Sequence, residues 1–442
     1  MAKQVVIIGA GMAGLAAAST LASKGIKVIL LEAASQLGGR ARSVAIEYNS
    51  QVIQLDNGQH IMLGAYHETL KLLKLVGVNA QDAFMRIPLN LQLHYATQRD
   101  GNKIAFKLNT SNYLPAPFNQ LLGFLCCDGL SWQERMAVVQ FMLRLKNNAY
   151  QLVTDSPLAD YLQKNQQSNL VIKMLWEPLC LAALNTPIKL ASSKVFLNVL
   201  KDTFNSKQSS DFLLPKQDLS QLFSQPIEAY LKKYGTKILF NQRVKSIKAD
   251  KTGYVVYSKD AQLKASQVIV AISPVRLRNV IAELPKLEFS AQQTDGYGYQ
   301  PIYTIYLQYD RGITLLKPML GLMGGVSQWV FDRGILYGQS GLMAVIISAE
   351  GKHQQYTQHA LALRVAQELR DAFPQLIKPL WHKVIAEKRA TFSCDVDLPR
   401  PAHLTSYAGL YLAGDYTYAD YPATIEGAVR SGVACAEFVC NS

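Results

Sequence analysis

Gly9, Gly11 and Gly14 stand in the spacing G-x-G-x-x-G, and Glu32 follows eighteen positions after the last of them. The first glycine of such a set permits a tight turn, and the second lets a pyrophosphate approach the backbone. The third lets a helix pack closely on the strand before it. An acid at that distance accepts hydrogen bonds from ribose hydroxyls. Together they describe a dinucleotide site, with anion binding by free N–H groups at the positive end of a helix dipole. Two other side chains could move protons. His60, in the run Asp56–Tyr66 (DNGQHIMLGAY), is either a satisfied core histidine or a proton donor. Glu177, in Trp176–Pro187 (WEPLCLAALNTP), stands among apolar residues with Cys180. A buried carboxylate there is either paired or has a raised pKa that suits a general acid.

The elements that must position these groups are legible around them. Val5–Ile8 is a continuous β-branched run, as in a strand buried on both faces. Ala13–Lys24, rich in Ala and Leu, reads as a helix stopped by Gly25, and Lys27–Leu31 as the strand that delivers Glu32. A βαβ unit whose glycines serve packing alone is the rival reading. Gly58 and Gly64 mark Asp56–Tyr66 as a turn with close backbone approach, followed by an amphipathic helix over His67–Val76 with Leu70, Leu73 and Val76 on one side. From Ala80 to Ser210 helical patterns dominate, including Trp132–Lys146, as an inserted domain would give. After a helix at Leu219–Tyr234, a β-rich stretch runs to Pro274. Gly296–Tyr309 alternates with period two and is expected to wall either a substrate cavity or ordinary core. Ala360–Phe373 is a helix closed by Pro374. Leu410–Ala413 is a short strand ended by Gly414 and Asp415, and Tyr421–Gly432 begins a helix continuing through Phe438.

A chain of 442 residues, 49% hydrophobic and 17% charged, buries a large core and is expected to form two domains. No signal peptide is expected ahead of a strand that begins almost at Met1, and polar residues, Pro or Gly break the longest uncharged runs. Six cysteines without a C-x-x-C pair point to reduced thiols, and no spacing suggests a metal site. The net charge of +13 is scattered, with no nucleic-acid module. It serves either solubility or attraction to an anionic leaflet. Tyr113–Cys127 (YLPAPFNQLLGFLCC) is correspondingly either buried core or an interfacial patch beside a lipid-sized entrance. The chain is expected in the cytoplasm, free or peripheral on the inner face of the membrane.

Glu32 followed by Gly38-Gly39-Arg40 resembles the FAD-binding signature of the flavin amine oxidase and carotenoid desaturase superfamily. The stretch from Gly414-Asp415 through Ala423, Thr424 and Ile425 resembles its closing motif. Within it, DNGQH at Asp56–His60, WEPLCLAALNTP and AGDYTYADYPATIEGAVRSG at Ala413–Gly432 resemble the squalene-associated desaturases, the hydroxysqualene dehydroxylases of bacterial hopanoid pathways. The resemblance implies an α/β fold: a Rossmann-like FAD-binding domain of amine-oxidase type with an inserted α+β substrate domain. The FAD domain would be discontinuous (1–65, 215–275, 395–442), and the substrate domain would hold 66–214 and 276–394. FAD would contact Gly9, Gly11, Met12, Ala13, Gly14, Glu32, Ala33, Gly38, Gly39, Arg40, Asn57, Gly58 and Gln59. Val244, on a strand matching Arg243–Ile247, would meet the adenine, and Ile272–Pro274 would reach the flavin edge. Asp415 would bond ribityl or phosphate-linked groups.

The implied reaction removes the allylic hydroxyl of hydroxysqualene, with reduced FAD as hydride donor, to give squalene. His60 is the first candidate for the acid and Glu177 the second. Tyr303, Tyr306, Cys180 and Leu184 would line the cavity, the tyrosine faces stabilising an allylic cation. A single nucleotide fingerprint leaves the flavin's electrons to an external donor. The rivals are a carotenoid-type desaturase, an amine oxidase, and a flavin-stabilised lipid carrier without catalysis. Many amine oxidases carry a Lys on the strand matching Pro301–Tyr309, and this chain has none there.

Overall fold

A computed structural model describes residues 4–97, 103–111 and 113–442; residues 98–102 and 112, inside the stretch expected to be helical, lie outside that description. The chain begins with strand β1 (Gln4–Ile8), helix α1 (Met12–Ser23) and strand β2 (Lys27–Leu31), with Gly25 at φ +71° beyond the helix end. β1 and β2 pair in parallel, Ile8 opposite Leu31, so the glycine turn and Glu32 emerge at the same sheet edge. Five parallel strands complete this sheet in the order Lys237–Leu239, β2, β1, Gln267–Val270, Leu410–Leu412. Val5, Val6 and Ile7 are fully buried, as a parallel sheet covered on both faces requires. The C-terminal helix Ile425–Asn441 lies on α1 so closely that a Cβ on Gly432 would stand 2.1 Å from the Ala13 carbonyl oxygen. The two ends of the chain therefore build one nucleotide-type layer, with the edge strand Lys237–Leu239 and the inner strand Gln267–Val270 supplied from the middle of the chain.

The intervening chain forms a seven-stranded sheet in the order Trp381–Phe392, Tyr299–Gln308, Leu342–Ser348, Trp329–Asp332, Met319–Met323, Asn90–Tyr95, Ile104–Asn109. Its last two strands correct the helical reading of Ala80–Ser210: Leu91, Leu93, Phe106 and Leu108 alternate inward, and helices dominate only from Phe118 to Phe204. Likewise, strand pairing near Val244 starts at Ser246 rather than Arg243. One face of the sheet packs against the helix Gln358–Ala372 in a second core that holds Ile305, Leu307, Val345 and Val365. The other face turns toward the helices Glu177–Leu184 and Ser193–Phe204 and the nucleotide layer. Among the described residues no helix is long and apolar enough to cross a membrane.

Candidate active site

The glycine turn opens on a cleft of about 670 Å³ along the edge of the parallel sheet. Its three glycines differ in what a side chain would meet. A Cβ on Gly9 (φ +98°) would lie 2.4 Å from the Ala271 carbonyl oxygen, and one on Gly14 would lie 1.9 Å from that of Gly9. Gly11 lines the cleft, and a Cβ there would meet nothing within 4 Å. Two glycines are thus fixed by packing and one by the space in front of it. Gly38 (φ +101°) closes the turn by donating its N–H to Ala10 O at 2.9 Å, and Gly39 follows at φ +59°. Glu32 accepts from the backbone N–H groups of Ala10 and Ala34, both at 2.8 Å. These bonds hold the carboxylate at the cleft wall with acceptor capacity left over.

Met12, Ala13, Ala33 and Val244 line the same cleft, and at its other end stand Gly414, Asp415, Ala423, Thr424 and Ile425. Thr424 caps the C-terminal helix, its hydroxyl accepting from Gly427 N at 3.0 Å. Arg40 reaches across to Asp415 at 2.6 Å and donates to Ala390 O at 2.5 Å; the Asp415 carboxylate raises its pKa. Ala271–Ser273 lines the cleft against the glycine turn itself, so the stretch expected at the flavin edge abuts Gly9.

Two smaller cavities extend from the cleft. The nearer, about 180 Å³, shares His60, Arg40 and Thr424 with it; the farther, about 90 Å³ and walled mainly by Leu, Phe and Ala, shares Ile61, Tyr66, Trp329 and Thr424 with the nearer. His60 therefore stands at the junction of cleft and cavity. Its Nδ1 lies 2.6 Å from the Gly58 carbonyl oxygen, and burial lowers its pKa. The neutral ring donates from Nδ1 to that carbonyl, which leaves Nε2 as a proton acceptor.

The loop that carries His60 is anchored by a buried network. Asp56 and Arg333 are both fully buried and paired at 2.9 Å. Asp56 also accepts from Leu219 N at 2.8 Å, and its carbonyl oxygen accepts from the Tyr306 hydroxyl at 2.8 Å. Arg333 stacks 3.8 Å from the centre of the Tyr337 ring. Gln59 belongs to this network rather than to the cofactor cleft: its carbonyl accepts from Arg333 at 2.8 Å and its amide donates to Tyr337 at 2.9 Å. Asn57 and Gly58 likewise line the nearer cavity and not the cleft.

The expected cavity residues are displaced by one step of periodicity. Ile302 lines the nearer cavity, whereas Tyr303 points to the opposite sheet face, edge-on to His353. Tyr306 is on the cavity side, but its hydroxyl is committed to Asp56 and the residue is fully buried behind the loop. On the helix Glu177–Leu184, residues 179, 181, 182 and 183 line the cavities, while Cys180 and Leu184 fall in the core. The Cys180 thiol donates to Thr186 O at 3.5 Å, and burial raises its pKa. Glu177 is half-buried at the helix start beside Lys173 and Lys189 and lines neither cavity; burial raises its pKa. Two residues missed in the sequence join the junction. Tyr66, the last residue of the DNGQHIMLGAY run, lines both cavities, and burial raises its pKa. Glu387, on the long strand Trp381–Phe392, lines both the cleft and the nearer cavity and accepts from Asn57 at 3.4 Å. Nothing in its local pattern distinguishes it from a solvated strand residue. Among the described residues no cluster could hold a metal, and the six cysteines are free thiols.

Residues 12–440 match the family of flavin containing amine oxidoreductases. The chain belongs to that family. It is an FAD-dependent oxidoreductase with the α/β fold of the amine-oxidase flavoproteins. It is 27% identical to a hydroxysqualene dehydroxylase of Zymomonas mobilis over 98% of each chain. It is 22% identical to a zeta-carotene desaturase of Synechocystis over 99% of this chain and 97% of the other. The solved cyclohexylamine oxidase of Brevibacterium oxydans superposes with a TM-score of 0.69 at 17% identity, covering 100% and 99% of the two chains. The cleft fits FAD. Gly11 leaves bare backbone facing open space where a diphosphate needs it, Glu32 is fixed for a ribose, and the capped N-terminus of the C-terminal helix faces the far end.

Proposed function

We propose that this flavoenzyme removes the allylic hydroxyl of hydroxysqualene to give squalene. The observation that supports this most is the farther cavity, walled mainly by Leu, Phe and Ala, which meets the nearer, more polar cavity at Tyr66 and Trp329 and through it the cofactor cleft at His60 and Thr424. Such walls suit a long hydrocarbon and offer little to a small charged amine. The full-length likeness to the Zymomonas dehydroxylase supports the same reading. Reduced FAD, when bound, supplies the hydride that replaces the hydroxyl, and an external donor supplies its electrons. The protein's share is to orient the chain, exclude water and bring a proton to the leaving oxygen, which departs as water. His60 is the group proposed to carry that proton. Because burial lowers its pKa below the usual 6.5, it must first take a proton from solution. The rate should therefore rise as pH falls through that lowered value.

One observation favours a second reading. A neutral His60 with a free Nε2 accepts a proton rather than donating one, which suits oxidative desaturation of a polyene. The test separates the two. Photoreduced enzyme, kept anaerobic with hydroxysqualene, should reoxidise its flavin and form squalene, faster in acid. His60→Ala should slow this by about 10²–10⁴-fold with FAD retained. Oxidised enzyme that desaturates a carotene, with a rate that falls in acid, would establish the second reading. Peroxide from an amine, with no squalene, would overturn both.

A further inference from the structure

A separate pocket lies on the outer side of the farther cavity. Phe124 and Phe204 wall the farther cavity and also a small surface pocket of about 20 Å³, with their rings edge-on at 6.4 Å. That pocket opens between the helices Phe118–Leu125 and Trp132–Asn147, where Leu121, Leu143 and Lys146 line it. The outer side of the first helix is unlike a solvated surface. Phe118 is 62% exposed and Leu122, one turn on, 42%; Tyr113 just before the helix is 96% exposed. The inner side buries the amides Asn119 and Gln120 with Gly123 and Phe124, while the large apolar side chains Phe118 and Leu122 face solvent, the reverse of an ordinary amphipathic surface helix. On the second helix Trp132 and Leu143, three turns apart and hence on nearly the same face, are both exposed. The surrounding segment, residues 103–150, holds Lys103, Lys107, Arg135, Arg144 and Lys146 against Asp128 and Glu134.

We infer that the helix Phe118–Leu125 docks this protein on an anionic lipid surface. Exposed aromatic and leucine side chains beside an excess of cations are what an interfacial helix presents to acidic headgroups. A bilayer takes up the exposed Tyr113, Phe118, Leu122, Trp132 and Leu143 together, and its acidic headgroups answer the excess of cations in the same segment. That substrate enters from this side, past Phe124 and Phe204, rests on the isoprenoid reading above; the docking does not.

The FAD-loaded protein is mixed with vesicles of phosphatidylcholine alone and of equal parts phosphatidylcholine and phosphatidylglycerol, and bound protein is measured by sedimentation. Binding should favour the mixed vesicles and weaken with added salt. The double variant Phe118→Glu/Leu122→Glu, at exposed positions, should keep its FAD and lose on the order of tenfold or more of that binding. Measured as the difference from the parent protein, whose own Trp132 also faces the bilayer, Phe118→Trp should add blue-shifted emission on mixed vesicles, and Ile377→Trp, exposed near the second core, should add none. Equal or absent binding to the two vesicle types, an undiminished double variant, or a shift at both tryptophans would overturn the inference. None of these measurements uses a substrate, so an enzyme that docks but forms no squalene would count against the proposed reaction alone.

Discussion

The sharpest test of the cofactor site is a contrast between Gly11→Val and Gly14→Ala. The two glycines are three residues apart, and a sequence motif treats them alike. At Gly11 the backbone is extended (φ −74°, ψ 179°), which suits a β-branched residue, and a Cβ meets no protein atom within 4 Å. Valine there should leave the fold nearly intact, at a cost of about 1 kcal/mol or less for altering the helix N-cap. At Gly14 a Cβ would stand 1.9 Å from main-chain oxygen, so α1 must move off β1, at roughly 1–3 kcal/mol or more. Binding should respond in the opposite order. Valine at 11 fills the space where a diphosphate meets bare backbone, and each charged hydrogen bond lost costs about 1.5–3 kcal/mol, roughly ten- to a hundredfold in Kd. FAD at a hundredfold excess over Kd stabilises a protein by about 2.7 kcal/mol. For 442 residues this is a rise of roughly 3 °C in Tm. Thermal unfolding of apoprotein titrated with FAD reads both effects. Wild type should gain those degrees, Gly11→Val should start within about 1 °C of wild type and gain almost nothing, and Gly14→Ala should start lower. A Gly11→Val protein that gains as much as wild type, or starts as low as Gly14→Ala, would refute the assignment of separate roles.

Arg333→Met should leave the fully buried Asp56 carboxylate without its cation and destabilise the fold by about 3–5 kcal/mol, or roughly 3–5 °C, while Asp56→Asn in the same chain should recover part of the loss. A Tm unchanged by Arg333→Met would show that the pair does not anchor the His60 loop. Burial lowers the pKa of His60, His94, His353 and His403, so below the usual 6.5 the unfolded chain binds more protons than the folded one. Stability should therefore fall as pH drops below about 6.5 and go on falling down to the lowered folded values. Urea unfolding compared at about pH 7.5 and about pH 5.5 checks this, and equal stabilities would contradict it.

The cofactor half of the molecule was legible in the sequence because its determinants are local. Val5–Ile8, the three glycines, the Ala-rich helix and Glu32 lie within one βαβ unit, where turn geometry and a buried parallel strand constrain residue type directly. Gly414, Asp415 and Thr424 were readable for the same reason, as a strand end and a helix N-terminus. The substrate half was not. Period two showed that Tyr299–Gln308 is a strand, but which face is cavity depends on the helix Gln358–Ala372 covering the other side, and that placed Ile302 inward and Tyr303 outward. Beyond Glu177 the helix Glu177–Leu184 is apolar all round, so its sequence could not say that 179, 181, 182 and 183 line the cavities while Cys180 and Leu184 face the core. Gln59 reads as a ligand until Arg333, 274 positions away, claims its carbonyl. Glu387 carries no local mark and becomes part of the site only when its strand is laid beside Tyr299–Gln308. Sequence fixes what one backbone turn or one helix end demands, since those constraints act between near neighbours. Which side chain faces a cavity is settled by what packs on the other side, and those partners come from distant parts of the chain.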